Sequence, residues 1–163
     1  MKIDDLITAK TIITNVRAVN KSDLLLELAA HAAPLVGLDH LVVSRALDHR
    51  ESLGSTGLGM GVAMPHARFK ALGNPFALFA RLTRAVDFRA LDGRQVDLVL
   101  LLLGPEPATN TYLNLLISTS RALRDSSVRD QLRAVTDAPS IVTVLRKGIE
   151  QNSGSGSPIA KRR

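Results

Sequence analysis

A single α/β domain, with a mixed and mostly buried β-sheet covered by helices on both faces in three layers, is predicted by three features of these 163 residues. The run Val96–Leu103 is apolar apart from Asp97, as expected of a strand covered on both sides. Apolar residues at helical spacing both precede and follow it, so helices are available for either face. A content of 45% hydrophobic and 22% charged residues in a chain of this length is enough to fill one core.

The elements can be placed in order. Ile12–Val16 is short and β-branched, a first strand. Asn20 caps a helix with an acid, Asp23, three residues on, and Leu24, Leu25, Leu28, Ala29 and Ala32 form its apolar face up to Val36 and Gly37. Asp39 caps a second helix whose expected buried face is Val42, Val43, Ala46, Leu47 and Leu53; its last turn carries Arg50 and it stops at Gly54. Residues 61–64 read as a short strand, because Pro65 biases the residue before it to extended geometry and cannot donate to a ladder, so His66 is expected just beyond a strand end. Phe76–Thr83 and Val96–Leu103 are two longer strands, with a turn at Leu91-Asp92-Gly93-Arg94 between them. From Thr109 the spacing is helical, with Leu113, Leu116, Ile117, Ser120 and Leu123 in register, and two more helices come after it at roughly 126–135 and 138–147. Pro139 fits the first turn of the last one.

Composition narrows the function. No cysteine is present, which excludes disulfides and thiolate chemistry, and the histidines stand at no metal-ligand spacing, so no metal site is expected. His31, His40 and His49 are assigned to surface or packing roles. The start of the chain carries Asp4 and Asp5 and lacks a long apolar run, and nowhere do eighteen apolar residues succeed one another; a cytoplasmic protein without membrane insertion is expected. The formal charge is +6, but Lys161, Arg162 and Arg163 supply half of it at the end of a Ser/Gly run. Residues 1–148 are therefore assigned to the domain and 149–163 to a flexible Ser/Gly-rich basic tail. Arg121, Arg124, Arg129 and Arg133, interleaved with Asp125 and Asp130, read as a solvated face, and no nucleic-acid partner is expected.

Chemistry concentrates between Arg50 and Arg68. This stretch holds Gly54, Gly57, Gly59 and Gly61, whose amides can turn toward an anion, the hydroxyls of Ser55 and Thr56, the guanidinia of Arg50 and Arg68, and His66 behind a rigid proline. A neutral imidazole is a good nucleophile toward phosphorus, and the group it accepts carries close to two negative charges that donors must meet. The same residues also fit an ordinary turn before a strand with a structural histidine, and chemistry alone leaves both readings open. The glycines precede a strand and no Gly-Lys-Ser/Thr comes after them, so a nucleotide site is not expected.

The order Arg-Glu-Xaa-Xaa-Gly-Ser-Thr-Gly-Xaa-Gly-Xaa-Gly-Xaa-Ala-Xaa-Pro-His, from Arg50 to His66, resembles the active-site signature of the mannitol/fructose-type IIA domain of the bacterial phosphotransferase system. The likeness spans residues 4–147, and the standalone length resembles the nitrogen-regulatory branch. The resemblance implies a mannitol-type IIA fold and a phosphotransferase-system carrier in which His66 takes a phosphoryl group from a small HPr-like phosphocarrier protein. It implies that Arg50 contacts that group and that Ser55 and Thr56 are the family's loop hydroxyls, with no cofactor. It further implies a regulatory output in nitrogen, potassium or carbon metabolism, through potassium-transport or sensor-kinase components as targets, and leaves a homodimer open. Family members commonly carry a second active-site histidine in a Thr-His-Leu context; this chain has Thr111-Tyr112-Leu113. Tyr112 is thus either a hydrogen-bond donor to a phosphate that cannot share a proton at pH 7, or a ring that only packs over the pocket rim. The alternative that this departure implies is a regulatory binding module phosphorylated poorly or not at all.

Overall fold

The computed structural model describes residues 2–153. A one-turn helix α1 (Ile3–Leu6) and a 3-10 turn (Ala9–Thr11) lead into β1 (Ile12–Val16), and then α2 (Lys21–Val36) and α3 (His40–Ser52). The glycine-rich stretch and the residues just after it form β2 (Gly57–Gly59), β3 (Val62–Ala63) and β4 (His66–Phe69). Two long strands, β5 (Phe76–Val86) and β6 (Val96–Pro105), precede α4 (Asn110–Arg124), α5 (Ser126–Ala134) and α6 (Ala138–Ser153). The sheet order is β1-β5-β6-β3-β2, with β4 also on β6. β5 and β6 run antiparallel, β1 is parallel to β5, and β3 and β4 are parallel to β6, so the sheet is mixed.

Period-two alternation along β6 divides the interior. Val99, Leu101 and Leu103 join α2 and α3 in one apolar cluster, while Leu98, Leu100 and Leu102 join α1, α4, α5 and α6 in the other. The architecture is therefore the expected three-layer α/β domain. Among the described residues no helix is long and apolar enough to cross a membrane.

Several expectations need correction. His66 does not lie past a strand end; it begins β4. Val62 pairs with Leu98 and His66 with Leu102, so β3 and β4 keep one register on β6 across Met64 and Pro65. The proline lacks an N–H, yet its carbonyl still accepts from Leu102 N at 3.0 Å, which carries the ladder through. Val43, Leu47 and Leu123 are buried as expected, but the rest of the two helix faces differs from the expected one. In α3 the buried residues are Val43, Ser44 and Leu47, while Val42 is 50% and Leu53, just past the helix, 72% exposed. In α4 the buried stripe is Tyr112, Leu115, Ser118, Thr119, Ala122 and Leu123, and Leu113 and Ile117 are exposed. One residue is about 100° of helix, so a residue one position before or after the buried stripe turns outward.

α6 continues to Ser153, five residues past the boundary at 148, because Ile149 is buried in the second cluster. The Ser/Gly part of the tail, 154–163, lies outside the described residues. Nor is the arginine series simply solvated. Arg133 pairs with Asp97 at 2.8 Å and donates to Met60 O at 3.0 Å, tying α5 to the tip of the β2–β3 hairpin.

Gly104 on β6 leaves the space that the Tyr112 ring occupies; a Cβ there would overlap the ring carbons. Gly104→Ala is therefore expected to cost about 1–3 kcal/mol through forced overpacking. Urea denaturation of the two proteins checks this, and an unchanged midpoint would contradict the packing described.

Candidate active site

Two helices and one strand end meet at a cleft of about 470 Å³ lined by His49, Arg50, Leu53, His66, Arg68, Tyr112 and Leu113, among others. Alternation along β4 turns Ala67 and Phe69 into the α2–α3 cluster, so His66 and Arg68 point to the opposite face, toward α4. Arg50 reaches the same place from α3, one turn beyond Ala46 and beside Leu53. Its direction is fixed at the helix end, where Nη1 donates to Gly54 O at 2.9 Å.

The imidazole of His66 is half-buried and held at both nitrogens. Nδ1 lies 3.0 Å from Met64 O, and Arg50 Nε donates to Nε2 at 3.4 Å. A carbonyl only accepts, so both contacts are satisfied when the proton sits on Nδ1 and the lone pair on Nε2. Burial lowers the His66 pKa below the ordinary 6.5, with the positive charges of Arg50 and Arg68 acting in the same direction against the Met64 hydrogen bond. The ring is thus a neutral base at pH 7 with Nε2 toward the cleft.

Folding and protonation are coupled at this ring. Above 6.5 it is neutral in both folded and unfolded chains, and the stabilisation from keeping it neutral is fully present. As pH falls through the window between 6.5 and the lower folded value, the unfolded chain binds the proton first and stability is lost; Nε2 itself is taken up by a proton only as pH passes through the folded value. An NMR titration of the His66 ring should give a midpoint below 6.5; a midpoint above it would contradict the burial described.

The carbonyl that orients His66 is itself positioned from below. Met64 N donates to Thr56 O at 3.0 Å, and Thr56 N donates to the Glu51 carboxylate at 3.2 Å, as does its hydroxyl. Glu51 lies one turn beyond Leu47 on the buried face of α3, with its side chain 5% exposed, and Lys21 Nζ meets it at 2.5 Å. Lys21 also donates to Phe88 O and stands 4.5 Å above the Phe88 ring.

Of the residues singled out in the sequence, the cleft therefore collects His66, Arg50, Arg68 and Tyr112. Ser55 and Thr56 are absent from its lining: Ser55 Oγ donates to Phe88 O at 3.2 Å, and the Thr56 hydroxyl is spent on Glu51. The glycines do not present amides to the cleft either. They build a hairpin whose tip, Met60 and Gly61, has φ of 58° and 80°, and Asp92 accepts from Met60 N at 2.7 Å. Lys21 and Met64 belong to the site without any motif that points to them. Glu51 is the second residue of the Arg50–His66 signature, and its place two turns past buried Val43 in a helical pattern is the further signal that marks it as enclosed. His49, expected at the surface or in packing, lines the cleft.

Tyr112 sits in the first turn of α4, which Thr109 caps. It is 1% exposed, and its hydroxyl has no hydrogen-bond partner among the described residues. Burial pushes its pKa up to about 12, against the pull of Arg68 and Arg50. The phenol is a neutral donor at every physiological pH.

The chain has known relatives in sequence and in fold. The family model for the phosphoenolpyruvate-dependent sugar phosphotransferase system, EIIA 2, matches residues 5–148. A nitrogen regulatory protein of Bradyrhizobium diazoefficiens is 44% identical over 145 residues, 89% of this chain and 95% of that protein. The crystal structure of the nitrogen regulatory protein IIA-Ntr from Neisseria meningitidis superposes with a TM-score of 0.83 at 33% identity, covering 86% of this chain and 97% of that one. The fold also matches, at a TM-score of 0.72 and 21% identity over 86% of this chain and 96% of that one, a structure of the complex of enzyme IIAMTL and phosphorylated enzyme IIBMTL from Escherichia coli. The chain belongs to the EIIA 2 family of the phosphoenolpyruvate-dependent sugar phosphotransferase system, in its nitrogen-regulatory branch.

Proposed function

We propose that this protein is a cytoplasmic phosphoryl carrier in which His66 Nε2 accepts a phosphoryl group from the phosphohistidine of an HPr-like protein. The observation that carries the reading is the pair of contacts on the imidazole, Met64 O on Nδ1 and Arg50 on Nε2, which present a neutral nucleophile beside a guanidinium. In the transfer the phosphorus–nitrogen bond of the donor breaks as the bond to Nε2 forms. The donor imidazole leaves with the electron pair, the His66 Nδ1 proton stays hydrogen-bonded to the Met64 carbonyl, and the positive ring charge passes to His66. The phosphoryl group arrives already activated, so the protein supplies position and electrostatics. Arg50 and Arg68 face the incoming charge, and Ser55 and Thr56 act from beneath, through Phe88 O, Glu51 and the Met64 amide.

Leu53 and Leu113, exposed on the cleft rim, provide an apolar surface on which a carrier docks. The output is regulatory: the charge on His66 decides which target proteins bind there, among them potassium-transport or sensor-kinase components. Such coupling is electrostatic at its origin, because two added negative charges change which surfaces the rim can meet.

The test is incubation with phosphoenolpyruvate, enzyme I and an HPr-type carrier, and then intact mass at alkaline pH. One acid-labile phosphoryl group per chain is expected. No gain with a demonstrably active donor would leave a binding module that works without phosphorylation.

A further inference from the structure

α4 has a cleft on each side. Its Tyr112, Leu113 and Leu116 line the cleft of His66, whereas its Leu115, Ser118 and Arg121 line a second one, also of about 470 Å³, between α4, α1 and the last turns of α6. That volume lies in the range of small-molecule sites. The walls of the second cleft are fixed. α1 is a single turn, too short to stand alone, and Arg146 of α6 fastens it, Nε donating to Ile7 O and Nη2 to Asp4 O, each at 2.9 Å. The floor is apolar: Leu6, Leu115 and Ile149 line it, none more than 9% exposed.

The polar part of the lining selects the occupant. Ser118 Oγ donates to Leu115 O, Asn152 Nδ2 to Gly148 O and Ser153 Oγ to Ile149 O, so these groups are turned onto their own helices. A sugar, whose several hydroxyls each need a partner, is poorly served there. Charge is what distinguishes the lining: Lys2 and Arg121, both exposed, belong to it, and among the described residues no carboxylate does. An apolar floor beside two cations is complementary to an apolar body that bears one anionic group. A guanidinium takes a carboxylate in a two-pronged hydrogen bond, which favours that anion.

We propose that this cleft is a second binding site, which takes a small carboxylate with an apolar tail, and that its occupancy is felt in the His66 cleft through α4, the wall that both share. A ligand seated against Leu115 presses on the helix whose other side carries Tyr112, Leu113 and Leu116. A closely packed interior passes such a displacement on. The coupling is reciprocal, so whatever binds in the His66 cleft and moves α4 changes the affinity for the carboxylate by the same factor. The level of an apolar acid thereby becomes an input to the site.

Methyl NMR of the full chain titrated with octanoate tests both halves. The Leu115 and Ile149 methyls should shift to saturation with a dissociation constant at or below about 1 mM, as a ligand of this size can reach. The Leu116 methyls, on the far side of α4, should follow with the same midpoint. 1-Octanol, the neutral counterpart, should bind at least about tenfold more weakly, and Arg121→Gln should weaken octanoate by a similar factor, the loss of one hydrogen bond to a charged group. Equal affinity for octanol, or shifts confined to the exposed Leu53 and Leu113, would overturn the carboxylate site. So would the absence of saturation, the result expected if another segment of this chain or a second copy covers the cleft. Shifts that reach Leu115 and leave Leu116 unmoved would overturn the coupling. None of these readouts needs phosphoryl transfer, so failure of the carrier reading and failure of this one are told apart.

Discussion

His66→Ala is expected to abolish phosphoryl labelling while leaving the fold intact. The side chain is half-buried at the first position of β4, where the backbone pairing with Leu102 does not need the ring. The apolar residues that seat the strand are Ala67 and Phe69 on the opposite face. Removing the imidazole frees Met64 O and Arg50 Nε toward the cleft, where water can meet both, so a stability change of only about 1–2 kcal/mol is expected. The other side chain in the cleft able to accept a phosphoryl group on an imidazole nitrogen is His49, which no described backbone contact orients as Met64 O orients His66. Intact mass and circular dichroism on the same sample decide the matter. Label persisting on a folded variant would show that another nucleophile is in use.

Arg50→Met should slow single-turnover transfer from the carrier by about a hundred- to a thousandfold, the range found when one preorganised donor to a developing anion is removed. Three facts make Arg50 that donor. It comes from the α3 layer across the sheet edge, its Nη1 is fixed on Gly54 O, and its Nε already rests on the atom that will react. Arg50→Lys should recover only part of the rate, because an ammonium cannot keep Gly54 O and a phosphoryl oxygen in one planar fork. The His66 midpoint should also rise in Arg50→Met, since the guanidinium charge is one of the groups that holds it down. A transfer rate within about threefold of the parent would remove Arg50 from the mechanism.

Much of this is legible in the chain, and the parts that are not have physical reasons. The apolar run Leu98–Leu103 of β6 announces a strand buried on both faces, and the caps at Asn20 and Asp39 and the helical spacing from Thr109 mark helix starts that the structure places there. What misleads is the exposed apolar surface. Leu53, Leu113 and Ile117 are large and apolar, so a reading by periodicity takes them into the core, whereas they stand outside it. Buried polar side chains mislead in the other direction: Glu51 and Thr56 are enclosed because each completes the other's hydrogen bonds, a pairing across five residues that no apolar pattern records. Ser55 and Thr56 read as donors to a ligand because hydroxyls beside glycines suit an anion, and only the hairpin geometry of β2 and β3 shows that they turn inward.

The hairpin also bears on self-association. A sheet whose centre is as apolar and as long as β6, ten residues, is a hazard if its border can template a neighbouring chain. At this border the sheet ends in β2, three residues long, carrying glycine at both ends and bending at Met60, whose amide Asp92 already occupies. A second molecule meets a short, twisted and partly capped edge there, with nothing to extend a ladder along. The stretch that leads the chain to His66 also keeps one side of the sheet from growing.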